Sequence, residues 1–356
     1  MSGPPPGLMR IEPQFTAHAE EVLRARYLKK DDRGRIMETP AEMLARVAVH
    51  VADVERRYGG DPTATADTFY EAMARLEFLP NSPALMNAGT RLGQLAACFV
   101  LPIEDSLDSI FNSLRHAALI HQTGGGVGYD FSRLRPKGDP VASIGGASSG
   151  PVSFMEVFDA AVDAVRQGGR WRGANMGVLD APHPDVEAFI IAKRDPQRFR
   201  NFNLSVAVDE AFMTAAAEAR PIELVNPRTG QVRGTRQAGQ LLDLMATSAW
   251  ETGDPGVIFL DRINRDNPTP ALGRITATNP CGEVPLLPYE ACVLGSINVA
   301  ALSTSGAFDW ERFDRLTDLG IRFLDDCIDA SLFPLPQIAA AVHRSRKIDL
   351  GMKGTR

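Results

Sequence analysis

His121-Gln122-Thr123-Gly124-Gly125-Gly126-Val127-Gly128-Tyr129-Asp130-Phe131 joins the end of one pattern to the start of another. Residues 107–121 read as a helix, and 127–131 form an apolar run of strand length. The glycines between them allow two readings. They permit close backbone approach to a ligand, or they cap the helix and then pack tightly. The cluster has neither GxGxxG nor GxxxxGK[ST] spacing, so it makes no claim to a dinucleotide fold or a P-loop.

Outward from this stretch the alternation repeats. Apolar runs at 96–101, 127–131, 176–179, 204–208 and 257–260 are interleaved with helical stretches at 107–121, 152–165, 184–193, 210–219 and 237–250. Strands alternating with helices indicate an α/β architecture with mainly parallel pairing. Before it, residues 11–77 read as helical. Met43, Leu44, Val47, Val51 and Val54 recur at helical spacing up to Gly59-Gly60, and a second helix follows Pro62. Phe78-Leu79-Pro80-Asn81-Ser82-Pro83 reads as a punctuated loop. Residues 309–332 read as one amphipathic helix, with Cys327 a buried thiol on its packed face. The last twenty residues show no clear terminating element.

The 356 residues suffice for one large or two ordinary domains, and 44% hydrophobic content supports a sizeable core. A net charge of −6 gives no basic footprint, so nucleic acid is not an expected partner. There is no apolar run of membrane-spanning length, and Met1-Ser2-Gly3-Pro4 does not open a signal peptide; a cytoplasmic protein is expected. The four cysteines, Cys98, Cys281, Cys292 and Cys327, are too sparse for a disulfide scaffold and form no metal-ligand spacing. From spacing alone they are independent thiols.

Asn279-Pro280-Cys281-Gly282-Glu283 carries the densest chemistry. Pro280 restricts its own backbone and that of Asn279, while Gly282 permits a bend. Residues two apart then face one pocket, offering an amide, a redox-capable sulfur and a general base. The plainer reading is a turn with an incidental cysteine. Asn81-Ser82-Pro83 offers a hydroxyl and backbone amides for a phosphate, or is a simple turn. In 167–175, Arg170 and Arg172 flank Trp171 among glycines, which suits a base and a phosphate as well as a solvated basic loop. Residues 132–138 form a second basic loop.

Taken in order, these segments resemble ribonucleotide reductase catalytic chains, and most closely the adenosylcobalamin-dependent class II enzymes. The matching stretches are 26–31, 81–90, 95–104, 116–128, 131–138, 150–158, 167–177, 279–292 and 294–298, within a likeness running from about 11 to 351. The resemblance implies an N-terminal helical domain at 1–78. The first half of a ten-stranded α/β barrel, with its finger loop, would follow at 79–333, and the start of a second half at 334–356.

It further implies roles. Cys281 is similar to the thiyl-radical residue, Glu283 to the base for the 3′-hydroxyl, and Asn279 to the amide binding the ribose hydroxyls. Cys98 and Cys292 match the reducing pair that ends as a disulfide. Ser82, Ala97, Cys98, Gly126 and 279–283, including Pro280 and Gly282, match the substrate lining. Asp105, Ser106, Leu107, Arg135, Gln167 and Arg172 align with the allosteric site, which takes a dNTP or ATP.

The implied substrate is a ribonucleoside di- or triphosphate, the cofactor adenosylcobalamin, the reductant of thioredoxin type and the assembly a homodimer. The family chain continues well beyond this one, and Asp349 stands where the family has glycine in Arg346-Lys347-Ile348-Asp349-Leu350-Gly351. A second chain supplying the other half-barrel is therefore expected. Two alternatives are a class I large subunit, and an inactive nucleotide-binding or oligomerisation remnant.

Overall fold

A computed structural model describes residues 8–141, 145–165, 173–304 and 307–354. The chain divides into two compact units, 1–97 with 291–356, and 98–290.

The first unit is built on helices whose ends are set locally. Thr39 and Glu42 form a capping box at the start of Pro40–Ala52, and Asp61 caps Pro62–Ala74. Helix Trp310–Ala330 brings Phe323 edge-on to Phe69 and Phe78, with ring centroids 4.9 and 5.2 Å apart. Strand Ala291–Asn298 runs antiparallel to Phe78–Pro80 and parallel to Ile348–Lys353, placing Phe78 opposite Ile297 and Val293 opposite Ile348.

Two expectations are corrected here. Residues 78–83 are not a loop: strand Phe78–Pro80 is followed by helix Ser82–Asn87, whose start is fixed by the Asn81 side chain accepting from the Ala84 amide. The tail does have structure. Helix Pro336–Ser345 ends on Arg346 at φ 46°, and strand Ile348–Lys353 follows.

On helix Trp310–Ala330, Asp326 is buried beside Glu55, which Arg322 holds ionised. Burial, reinforced by the Glu55 charge, pushes the Asp326 carboxyl up to about 7 from 3.8. The folded unit therefore keeps a proton that the unfolded chain releases. Stability is highest below about pH 4 on this account and falls as pH rises from 4 to 7. Asp326→Asn supplies a neutral side chain at every pH. It is expected to stabilise the chain above pH 7 by about 1–2 kcal/mol and to flatten the decline, measured by urea unfolding across pH. An unchanged pH slope would refute the assignment.

The second unit carries a parallel sheet of five strands in sequence order. They are β1 (Cys98–Leu101), β2 (Gly126–Asp130), β3 (Asn175–Asp180), β4 (Phe202–Val208) and β5 (Gly256–Phe259). Cys98 pairs with Gly126, Val127 with Asn175, Asn175 with Phe202, and Gly256 with Ser205. Helices Leu107–Gln122, Pro151–Ala164 and Val186–Ile190 make the first three crossovers. β4 and β5 are joined through helices Glu210–Ala217 and Ala238–Thr252, with the antiparallel hairpin Pro221–Val225/Val232–Gln237 between them. That hairpin region is tied in by Arg228 and Arg233, both bound to the fully buried Asp139 carboxylate. Tyr129, Phe131, Phe158 and Phe202 pack together in the core; the Tyr129 and Phe158 centroids lie 5.0 Å apart.

After β5 the chain forms a short ladder, Ala277 opposite Leu286 and Thr278 opposite Pro285. Residues 279–284 are its tip. No helix among the described residues is long and apolar enough to cross a membrane.

Candidate active site

The glycine cluster that ends helix Leu107–Gln122 is spent on packing. Gly124 sits at φ 90°, its amide donates to the His121 carbonyl, and the Gly125 amide donates to the Ile120 carbonyl, a Schellman closure. A Cβ on Gly125 would lie 2.5 Å from the Phe99 ring, and one on Gly126 would lie 2.7 Å from the Pro280 ring. A Cβ on Gly128 would lie 1.7 Å from the Thr278 carbonyl oxygen. At Gly126 and Gly128 it is the chain's own loop that approaches so closely. The backbone of 278–280 crosses β2 where β2 has no side chains to obstruct it.

The crossing fixes the tip. Gly282 turns at φ 89°, with its amide donating to the Asn279 carbonyl at 3.1 Å. The Asn279 side-chain oxygen accepts from the Val284 amide at 3.0 Å and from the Thr278 hydroxyl at 3.1 Å. Its Nδ2 donates to Cys98 Sγ at 3.0 Å, and that thiol faces Glu283 Oε1 at 3.8 Å. Cys98 therefore lies between an amide and a carboxylate, both from the loop. From β4, Asn203 Nδ2 donates to the Pro280 carbonyl oxygen at 2.6 Å. Asn279 and Pro280 are buried, whereas Cys281, Gly282 and Glu283 are exposed. Cys98 is 5% exposed and Gly126 half-buried.

An amide-fixed thiol next to a carboxylate, with a second thiol at an exposed tip, suits redox and proton-transfer chemistry. Residues 13–93 match the family described as ribonucleotide reductase, all-alpha domain, and 96–356 match ribonucleotide reductase, barrel domain. This chain belongs to the ribonucleotide reductase family.

The two matches give the expected order, a helical segment and then part of an α/β barrel domain. The chain is 51% identical over 348 residues to a vitamin B12-dependent ribonucleoside-diphosphate reductase of Mycobacterium tuberculosis, covering 97% of this chain and 50% of the relative. A Thermoplasma acidophilum protein of the same description is 43% identical over 399 residues, covering 96% and 52%. A ribonucleoside-diphosphate reductase large chain of Neurospora crassa is 29% identical, covering 94% and 39%. The chain thus spans about half the length of the B12-dependent relatives it matches at 51% and 43% identity.

The remaining residues matched by resemblance fall into separate places. In the first unit, Cys292 is fully buried on strand Ala291–Asn298, and its carbonyl accepts from the half-buried Ala97 amide at 3.1 Å. Ser82, the first residue of its helix, shares a 2.8 Å hydrogen bond with the Tyr27 hydroxyl. Tyr27 closes the π-helical turn Leu23–Tyr27, and sequence reading quoted its motif without assigning it a partner.

In the second unit, Arg135 is paired with Asp105. Its Nε lies 2.8 Å from Oδ2, and its amide also donates to that carboxylate. Ser106 caps helix Leu107–Gln122, and Leu107 is 63% exposed. Gln167 and Arg172 lie outside the described residues. Among the described residues no group of His, Cys, Asp and Glu is arranged to hold a bare metal ion.

Proposed function

We propose that this chain carries the thiyl-radical loop and part of the reducing apparatus of a B12-dependent reductase that converts ribonucleotides to 2′-deoxyribonucleotides. The observation that carries the reading is Cys98 held between Asn279 and Glu283, beside the exposed Cys281. Cys281, as a thiyl radical, takes the 3′ hydrogen of the ribose. Glu283 accepts the 3′-hydroxyl proton, and Asn279 orients the ribose hydroxyls. Cys98 and Cys292 give up two electrons and two protons and end as a disulfide. The 2′-hydroxyl leaves as water, and Cys281 returns the 3′ hydrogen.

No side chain starts a radical by itself, and adenosylcobalamin, when bound, supplies the oxidising radical for Cys281. The feature that fits this group is the exposure of Cys281, which leaves the sulfur reachable from outside the unit. Identity of 51% to a B12-dependent relative, against 29% to a large chain, favours this initiator over a separate radical-donating subunit. Ser82 holds a substrate phosphate, with Ala97, Gly126 and Pro280 lining the nucleotide. The Asp105–Arg135 pair, Ser106, Leu107, Gln167 and Arg172 serve a dNTP or ATP effector. The substrate is a ribonucleoside di- or triphosphate, the reductant is of thioredoxin type, and the working assembly is a homodimer completed by a second half-barrel.

The test mixes this chain with a chain carrying the second half-barrel of a B12-dependent relative. Adenosylcobalamin, a dNTP and a dithiol are added, and deoxyribonucleotide is assayed. Product only from the mixture is expected. Product from this chain alone would overturn the need for a second half. Nucleotide binding by the mixture without turnover would overturn the enzymatic reading.

A further inference from the structure

We propose that Asn203, on β4, is a positioning residue for the Cys281 thiol; this rests on the radical role given to Cys281 above. Its amide nitrogen donates to the Pro280 carbonyl oxygen at 2.6 Å, and that carbonyl belongs to the peptide whose nitrogen is Cys281's own. A peptide is planar, so holding its oxygen also sets the direction in which the Cys281 backbone leaves. The other side of Pro280 is seated as well. Its ring lies over Gly126, where any Cβ would come within 2.7 Å. On the far side of the cysteine, Gly282 turns at φ 89° with its amide bound to the Asn279 carbonyl. Cys281 is thus suspended between a seated proline and a closed turn. Asn203 reaches in from a sheet strand rather than from the loop.

Sheet strands are stiffer than loop tips, and a group positioned from a strand is held more closely than one held by its own loop. A thiyl radical abstracts hydrogen only across a short, aligned gap, so orientation at Cys281 bears directly on rate. Asn203 acts through the Pro280 carbonyl.

The cysteines make the test selective, because Cys281 is exposed while Cys98, Cys292 and Cys327 are buried. Iodoacetamide alkylation of the native chain, followed across pH, reports on Cys281; Cys281→Ser should remove the fast phase and confirms the assignment of the signal. Asn203→Asp places a carboxylate against the Pro280 carbonyl, and its charge is expected to raise the alkylation midpoint by about half a pH unit or more. Asn203→Ala removes the donor, and hydrogen exchange at the Gly282 and Val284 amides is expected to speed up by about fivefold or more, while β2 keeps its protection. A residue with only a general structural role would lower the unfolding midpoint and speed exchange in β2 together with the loop. If either the midpoint shift or the faster exchange is missing, the assignment is overturned. Neither readout requires turnover, so a failed reconstitution would count against the radical reading and not against this one.

Discussion

Gly128→Ala is expected to unseat the loop that carries Cys281. The added methyl would lie 1.7 Å from the Thr278 carbonyl oxygen and 2.8 Å from its carbon. Those are backbone atoms at the stem of the loop, so no rotamer change relieves the clash. Either β2 or residues 277–280 must shift, and the loop, with a ladder of only two residue pairs, is the softer partner. Overpacking of a well-packed interior costs about 1–3 kcal/mol, and a clash against main chain belongs at or above the top of that range. The shift also separates Asn279 and Glu283 from Cys98, whose contacts to them are 3.0 and 3.8 Å.

Two measurements check this. Urea unfolding should show the loss of stability, and Cys98, 5% exposed in the unaltered chain, should become open to alkylation under native conditions. Gly234→Ala is the control. A Cβ there meets nothing within 4 Å, and no change in either measurement is expected. A Gly128→Ala chain that unfolds like the unaltered one, with Cys98 still protected, would remove the loop crossing as the reason for this glycine.

That crossing shows what a linear reading can and cannot reach. The first four parallel strands are legible because strands largely buried on both faces are mostly apolar runs, as at 204–208, while β5 is legible as an apolar run although only Ile258 in it is buried. The helix before Gly124 is legible because its end carries glycine where a left-handed residue is needed. Strand Ala291–Asn298 is not, since Gly295, Ser296 and Asn298 interrupt its apolar pattern and its partners are Phe78–Pro80 and Ile348–Lys353, far away in the chain. Strand Val232–Gln237, V-R-G-T-R-Q, is largely exposed and polar and gives no periodic signal.

The site divides in the same way. The pentapeptide at 279–283 announces itself by its residue types. Asn279 and Glu283 have Cys98 as a common neighbour, with Gly282 bending the backbone between them. Asn203 and Tyr27 carry no motif signal pointing to these partners; each acquires its significance from a single hydrogen bond, across 77 and 55 residues of sequence.

Cys281→Ser in the reconstituted enzyme is expected to abolish reduction, with a fall on the order of 10⁴ or more in kcat. Serine has nearly the size of cysteine, so the Gly282 turn and the Pro280 seat should be kept. The difference is electronic: an O–H bond is much stronger than an S–H bond, and an alkoxyl radical is not formed under conditions that generate a thiyl radical. Glu283→Gln makes the informative comparison. It removes a base while leaving an oxygen to face Cys98, and loss of general-base assistance costs about 10²–10⁴-fold. Because the same carboxylate is assigned the 3′-hydroxyl proton, its removal should slow reduction at saturating substrate while leaving radical formation at Cys281 intact. On the reading proposed above, the two variants would be separated by hydrogen exchange between added adenosylcobalamin and solvent, which would need the Cys281 thiol and not the Glu283 carboxylate. Cys281→Ser should lose this exchange, and Glu283→Gln should retain it. Exchange surviving in Cys281→Ser would move the radical to another residue and dismantle the reading of the loop.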